Sequence, residues 1–237
     1  LTIRVEAGEI YGFLGPNGAG KTTTVRLLNG SLRPSAGESR VLGLSSDDEA
    51  VRAKTATLTE QARMYDRLSV VENLRFFASM YGADGAEGEG RIEELLHRMR
   101  LWEKRDARLG ALSTGQRKRA QLARTLLHAP SILFLDEPTS GLDPDAAAEV
   151  TDLFRDLARE SGTTVFLCTH NLALAEKACD RFGFIAEGKL VAEGRKDDLI
   201  EAAIREPRVT ITTTAGERTF PFETPEEISR HVRSVLD

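Results

Sequence analysis

Cysteine is scarce in this chain: Cys168 and Cys179 are the only two among 237 residues. Two thiols build no disulfide framework, and neither stands at metal-ligand spacing from the four histidines, so a reducing, intracellular setting is expected. Long apolar runs are missing as well. The longest are of the kind Ile132-Leu133-Phe134-Leu135, far short of the ~18 residues that cross a bilayer. Nor does Leu1-Thr2-Ile3-Arg4-Val5-Glu6 have the charged-then-apolar build of a secretion signal. Basic excess is absent too. The 32 Lys and Arg are outnumbered by 37 Asp and Glu, and a net charge of −5 argues against nucleic acid as a partner. What remains is a soluble globular chain, one domain and part of another, that cannot be a channel by itself.

Strand and helix patterns alternate along it. Leu1, Ile3 and Val5 have the period of a half-buried strand, and Ala7-Gly8-Glu9 turns the chain into a second strand, Ile10-Tyr11-Gly12-Phe13-Leu14. After a glycine-rich turn, a helix is expected from Lys21 to Asn29, closed by Gly30. From about 69 to 127 the pattern is helical. Ser69-Val70-Val71-Glu72 is a capping box ahead of Leu74, Phe77 and Tyr81, and Ile92, Leu95, Leu96 and Met99 share one helical face. Gly82 to Gly90 between them reads as an acidic surface loop. Strands return at Ile132–Leu135 and Thr164–Cys168, flanking a helix that Asp143-Pro144 starts and Val150, Leu153, Phe154 and Leu157 stripe. Phe182–Ala186 and Lys189–Val191 form a hairpin about Glu187-Gly188. Beyond 206, Val209, Ile211 and Thr213 alternate before a turn at Ala215-Gly216. Thr224-Pro225-Glu226-Glu227 then caps a helix with Ile228, Val232 and Val235. The expected fold is α/β: a mostly parallel sheet over 1–205, a helical insertion at about 69–127, a small antiparallel part, and a hairpin-and-helix appendix over 206–237.

Chemistry concentrates in two places. Gly15-Pro16-Asn17-Gly18-Ala19-Gly20-Lys21-Thr22 fits G-x-x-x-x-G-K-[ST] and lies between a strand and a helix, with Thr23 next. Glycines let successive N–H groups converge on phosphate oxygens, and the helix N-terminus adds partial positive charge. Lys21 would reach the β- and γ-phosphates, and the Thr22 hydroxyl would ligate Mg²⁺. Asp136 and Glu137 follow the apolar strand Ile132–Leu135, whose carboxyl end delivers side chains to the ligand edge of an α/β sheet. Asp136 can hold the metal there, directly or through water, and Glu137 can orient or deprotonate the attacking water, a general-base role worth ~10²–10⁴ in rate.

Between these motifs stands Leu112-Ser113-Thr114-Gly115-Gln116, itself a capping box before a helix with Leu122, Leu126 and Leu127. With this segment the sequence resembles, over residues 1–205, the ATP-binding subunit of ABC transporters, which are P-loop NTPases. The resemblance implies that Ser113, Gly115 and Gln116 cap the γ-phosphate held by a second ATPase subunit, identical or closely related. Ser140-Gly141-Leu142-Asp143 resembles the D-loop and His170 the switch histidine. At the Q-loop position stands Glu60 instead of the usual glutamine, with Gln61 adjacent; it keeps an oxygen for Mg²⁺ or water but brings negative charge near the phosphates. Thr114 replaces a glycine of the commonest signature. The family's first strand and adenine-stacking aromatic would lie before Leu1.

The resemblance further implies ATP and Mg²⁺ as ligands, an integral membrane permease as partner, and a peripheral position on the cytoplasmic face of the cell membrane. It places the permease contact near Glu60–Tyr81. Tyr65-Asp66-Arg67-Leu68-Ser69-Val70 and the appendix resemble drug and antibiotic exporters of bacteria and archaea. A soluble relative acting in translation or DNA maintenance would carry two such domains or long coiled-coil arms, and neither is visible here. A nucleotide-binding regulator without turnover fits poorly, because both Asp136 and Glu137 are present. Arg117-Lys118-Arg119 reads as a solvated basic face beside bound phosphates. Phe76, Phe77 and Tyr81 read as packing of the insertion. Trp102, the cysteines, His97, His128 and His231 carry no assigned chemistry.

Overall fold

The computed structural model describes residues 1–59, 63–83, 85–205, 208–213 and 216–221, the backbone alone from 203 onward. Its elements run β1 (Ile10–Leu14), α1 (Lys21–Leu28), β2 (Arg40–Val41), β3 (Leu44–Ser45), α2 (Glu49–Lys54), β4 (Thr55–Leu58), α3 (Val70–Met80) and α4 (Ala86–Arg98). After two short 3-10 turns come α5 (Thr114–Thr125), β5 (Ile132–Asp136), α6 (Pro144–Ser161), β6 (Thr164–Thr169), α7 (Leu172–Ala178), β7 (Arg181–Ala186) and β8 (Lys189–Gly194). The chain divides into two units, Leu1–Glu193 and Gly194–Asp237. The second holds α8 (Lys196–Arg205) and the antiparallel pair β9 (Arg208–Thr213) and β10 (Gly216–Pro221). The helix expected after Thr224 lies outside the described residues.

The main sheet has the order β4-β5-β6-β1-β7-β8. Its first five strands are parallel, with Tyr11 level with Phe166 and Asp136 level with Cys168. Both faces are covered, which is why its central strands are nearly continuous apolar runs. One face sends Leu133, Leu135, Val165 and Leu167 into a core shared with the helices of the insertion and with Val150, Phe154 and Leu157 of α6. The other sends Tyr11, Phe13, Phe134, Phe166 and Cys168 against Val25 of α1. Phe166 stacks on Tyr11 at 5.6 Å and packs on Phe13 at 5.3 Å. The carboxyl ends of β1, β5 and β6 therefore arrive on one rigid edge. β8 returns beside β7 through Glu187 and Gly188, both at positive φ as a tight hairpin turn requires.

Several local expectations need correction. Leu1–Val5 forms no strand: no described segment pairs with it, and alternation without a partner leaves Leu1 57% exposed. Gly82–Gly90 is not one loop, because α4 begins at Ala86 and takes in Gly88 and Gly90. Glu87 and Glu89 favour that first helical turn through the dipole, against the glycines' entropy. Of the aromatics read as packing, Phe77 does pack against the core, whereas Phe76 and Tyr81 are exposed. They lie on the insertion with Tyr65, whose ring meets Phe76 edge-on at 5.0 Å. No described helix is long and apolar enough to cross a membrane.

Candidate nucleotide site

The turn from β1 into α1 is held by its own backbone chemistry. Gly18 and Gly20 have φ of 81° and 109°, values that an L side chain resists. At Gly15 a Cβ would collide with the carbonyl oxygen of Ile185. Lys21, 7% exposed, folds its ammonium back into the turn and donates to Gly15 O at 2.8 Å and Pro16 O at 3.2 Å. Asn17, Gly18, Gly20, Lys21, Thr22 and Thr23 line a cavity of about 280 Å³ with Asp136 and Glu137. Ala19 is a floor residue, buried, with its carbonyl accepting from Gly188 N at 3.0 Å.

The acidic side of the cavity comes from the end of β5, braced by the end of β6. Thr22 Oγ1 donates to Asp136 Oδ2 at 2.8 Å. Glu137 sits at φ 49°, a left-handed conformation costing on the order of 1–3 kcal/mol in a non-glycine residue. Three contacts hold it there. Its N–H donates to Cys168 O at 2.9 Å, Thr169 Oγ1 donates to Oε2 at 3.1 Å, and His170 Nδ1 lies 2.8 Å from Oε1. Lys21 Nζ stands 3.6 Å from that same Oε1. The Cys168 thiol lies beneath the cradle, its pKa pushed up by burial, and contributes packing.

The donor set suits a small hard cation. A hydroxyl and a carboxylate are already within hydrogen-bond distance, and among the described residues no group of three or more His, Cys, Asp or Glu could hold a metal alone. Magnesium is characteristically held by one or two protein oxygens plus phosphate oxygens and water.

The signature residues gather elsewhere. Ser113 caps α5 in a full capping box, accepting from Gln116 N at 3.2 Å while its own N–H donates to Gln116 Oε1 at 3.1 Å. Gln116 is thus turned back on the helix start, and it does not line the cavity. Ser113, Thr114 and Gly115 line a second cavity of about 540 Å³ with Arg119, Gly141, Asp143, Ala146 and Glu149. Asp143 caps α6 by accepting from Ala146 N at 2.8 Å, so it belongs to this second cavity and not to the cradle. The two cavities share no lining residue. A Cβ at Gly115 would stand 3.1 Å from that of Ala146, so the two helix starts pack closely. Glu60 lies outside the described residues.

Two features escaped the sequence reading. Thr169, fully buried, orients Glu137; its one signal was a polar residue ending an apolar strand beside His170. The basic run after the signature is no solvated face. Lys118 is buried, Arg119 pairs with Glu149 at 3.4 Å, and Arg117 turns back onto main-chain carbonyls. A helix face decides this, and three successive residues cannot share one.

Known proteins match this arrangement. A family model described as ABC transporter matches residues 1–140. The daunorubicin/doxorubicin resistance ATP-binding protein DrrA of Streptomyces peucetius is 39% identical over 201 residues, 84% of this chain and 61% of that protein. The Nod factor export ATP-binding protein I of Burkholderia lata is 39% identical over 206 residues, 86% of this chain and 67% of that protein. This chain therefore spans 61% to 67% of the length of these relatives. A solved structure, the dimeric post-hydrolysis state of the ATP-binding cassette MJ0796 bound to ADP and Pi, superposes with a TM-score of 0.72 at 25% identity, over 81% of this chain and 88% of that one. With well over half its length matched, this chain belongs to the ABC transporter family.

Proposed function

We propose that this chain binds ATP with magnesium in the cradle between β1 and α1 and hydrolyses it. Two ATPase subunits, identical or closely related, close on ATP and power a separate integral membrane permease from the cytoplasmic face of the membrane. The observation that carries this reading is the presence of two cavities at helix N-termini in one chain, with no lining residue in common. Each suits an anion, and a two-fold pair can bring the Ser113–Gly115 end of one copy onto the cradle of the other. The dimeric form of the MJ0796 cassette supports the pairing. The names of the two export and resistance relatives support export as the direction of transport.

In this mechanism Lys21 leaves the Gly15 and Pro16 carbonyls for phosphate oxygens. Thr22 and Asp136 would hold the metal, and Glu60, at the Q-loop position, would add an oxygen. Bound magnesium supplies Lewis-acid charge to the phosphate oxygens. Glu137, oriented by Thr169 and His170, takes the proton of the attacking water. His170, Ser113, Gly115 and Asp143 complete the enclosure of the γ-phosphate, and Gln116 holds Ser113 in its cap. Moving a switch from 1:99 to 99:1 needs about 5.5 kcal/mol of differential binding. Two γ-phosphates, each held by charge-assisted hydrogen bonds of ~1.5–3 kcal/mol, supply most of it. The permease is assigned to the insertion near Glu60–Tyr81, where Tyr65, Phe76 and Tyr81 are exposed.

The test uses the full-length protein. Magnesium-dependent ATP hydrolysis and an ATP-induced doubling of mass in light scattering are expected, as is recovery of a multi-span membrane protein from detergent extracts. A protein that neither takes up ATP nor pairs in its presence overturns the proposal. Recovery of ribosomes or DNA instead would replace transport with a soluble role.

A further inference from the structure

The chain entering the second cavity is suspended from a different loop. Val71 N donates to Arg105 O at 2.9 Å, Val70 N to Ala107 O at 3.1 Å, Leu109 N to Leu68 O at 2.9 Å, and Gly110 N to Asp66 O at 3.0 Å. Ser69 and Arg108 form a bridge within this ladder. Gly110 lies so close that a Cβ there would be 3.1 Å from Asp66 O. Main-chain bonds thus bind residues 66–71 to residues 105–110, ending two residues before Leu112 and three before Ser113.

Arg117 closes the remaining gap. Its Nη2 donates to Gly110 O at 2.6 Å and its Nε to Leu112 O at 3.2 Å, while Nη1 lies 3.8 Å from Asp66 Oδ1. Its own amide donates to Ser113 O at 2.9 Å in the first turn of α5. A rigid guanidinium fork can engage two carbonyls and a carboxylate together, which a lysine ammonium cannot reproduce. Arg117 lines neither cavity. Arg119, two residues on, faces Glu149 instead.

We infer that Arg117 is a positioning residue for the second cavity: by tying the Gly110 and Leu112 carbonyls to Asp66 it fixes where Ser113 and Gly115 present themselves to the phosphate of a partner copy. An anion site built from main-chain N–H groups works only if those groups are fixed before the anion arrives. The two carbonyls beside it carry partial negative charge, and the guanidinium offsets it. This inference rests on the proposal that the second cavity receives a partner's phosphate, and it adds the residue that holds that cavity in shape.

The full-length protein carrying Glu137→Gln, which is expected to bind ATP without hydrolysing it, is the background for the test. Binding of mant-ATP to the cradle is measured at protein concentrations too low for pairing, and the ATP concentration giving half-maximal dimer by light scattering. Arg117→Ala is expected to keep cradle affinity within about twofold and raise the dimer midpoint about tenfold, the change that 1.4 kcal/mol makes. Arg117→Lys should recover only part of this, and Asp66→Asn should shift the midpoint the same way. Combined with Ser113→Ala, Arg117→Ala should add little further loss, because both act on one site. An unchanged midpoint overturns the inference. So does cradle affinity that falls in parallel, which would mark general damage. If the background protein binds mant-ATP but never pairs, the two-copy site itself is lost and the assignment falls with it.

Discussion

Glu137 Oε1 is shared by two nitrogen groups, with His170 Nδ1 at 2.8 Å and Lys21 Nζ at 3.6 Å. The same side chain therefore touches both the buried lysine of the cradle and the exposed histidine that follows β6. A carboxylate in this position can accept a proton from water, and an amide of the same shape cannot. Glu137→Gln is expected to lower the hydrolysis rate by ~10²–10⁴. Nucleotide binding should persist and the ATP-bound dimer accumulate. His170→Ala should lower the rate in the same direction but less, since Thr169 still holds the other oxygen. Single-turnover hydrolysis of radiolabelled ATP, with mant-ATP titration alongside, checks both.

Thr169 offers a cleaner separation of orientation from binding. It is fully buried, donates to Glu137 Oε2 at 3.1 Å and accepts from Asn171 N at 3.0 Å. Thr169→Val keeps the volume and removes both bonds, leaving an N–H without its acceptor at a cost of about 1–3 kcal/mol in stability. Because Thr169 does not line the cradle, kcat should fall while KM stays near the parental value. Thr169→Ser, which keeps the hydroxyl, should restore most of kcat. Steady-state kinetics and thermal melts of both variants decide the matter.

The Thr22 and Asp136 oxygens are joined at 2.8 Å. Thr22→Val removes the hydroxyl and leaves the carboxylate without that donor. In magnesium, nucleotide affinity should fall by at least the ~10–100-fold that losing a partner of a metal-binding group costs. In EDTA, the parent and Thr22→Val should bind nucleotide alike. Equilibrium titrations with and without the metal read the difference directly.

These residues show which parts of the molecule a sequence can announce. The cradle was legible because every one of its parts is local: glycines, lysine and threonine at fixed spacing between a strand and a helix. The capping boxes at Ser69 and Ser113 were legible for the same reason, each being a reciprocal pair three residues apart. What stayed hidden depends on distant partners. β4, Thr55–Leu58, alternates over only four residues, too few to announce a strand, and exists because β5 pairs with it. Leu1–Val5 alternates correctly but finds no described partner strand. The left-handed backbone of Glu137 and the fold of Arg117 over Gly110 and Leu112 come from tertiary contacts that no spacing reports.

His128 carries the last prediction, away from the nucleotide. Its Nε2 lies 3.1 Å from Thr55 O, and its ring stacks on Tyr81 at 4.5 Å. A carbonyl only accepts, so Nε2 bears the hydrogen and Nδ1 is the lone-pair nitrogen. That Nδ1 is buried with no hydrogen-bond partner among the described residues. A second proton would place an unpaired donor and a charge at that buried nitrogen, in a residue that lines a cavity with Arg91. Burial accordingly lowers the His128 pKa below 6.5. With the folded value below the unfolded one, the unfolded chain binds more protons between the two. Stability should therefore drop as pH falls through 6.5 and level off below the folded value. Urea midpoints at pH 7.5 and 5.5 are expected to differ more for the parent than for His128→Gln, whose amide can donate to Thr55 O but does not titrate. Glu87 and Glu94, which line the same cavity, titrate in both proteins, so their own titration cancels and only their pull on the imidazolium, with the push of Arg91, stays in the difference. Equal slopes in the two proteins would mean that the imidazole takes its proton without penalty and that the Nδ1 side is wet.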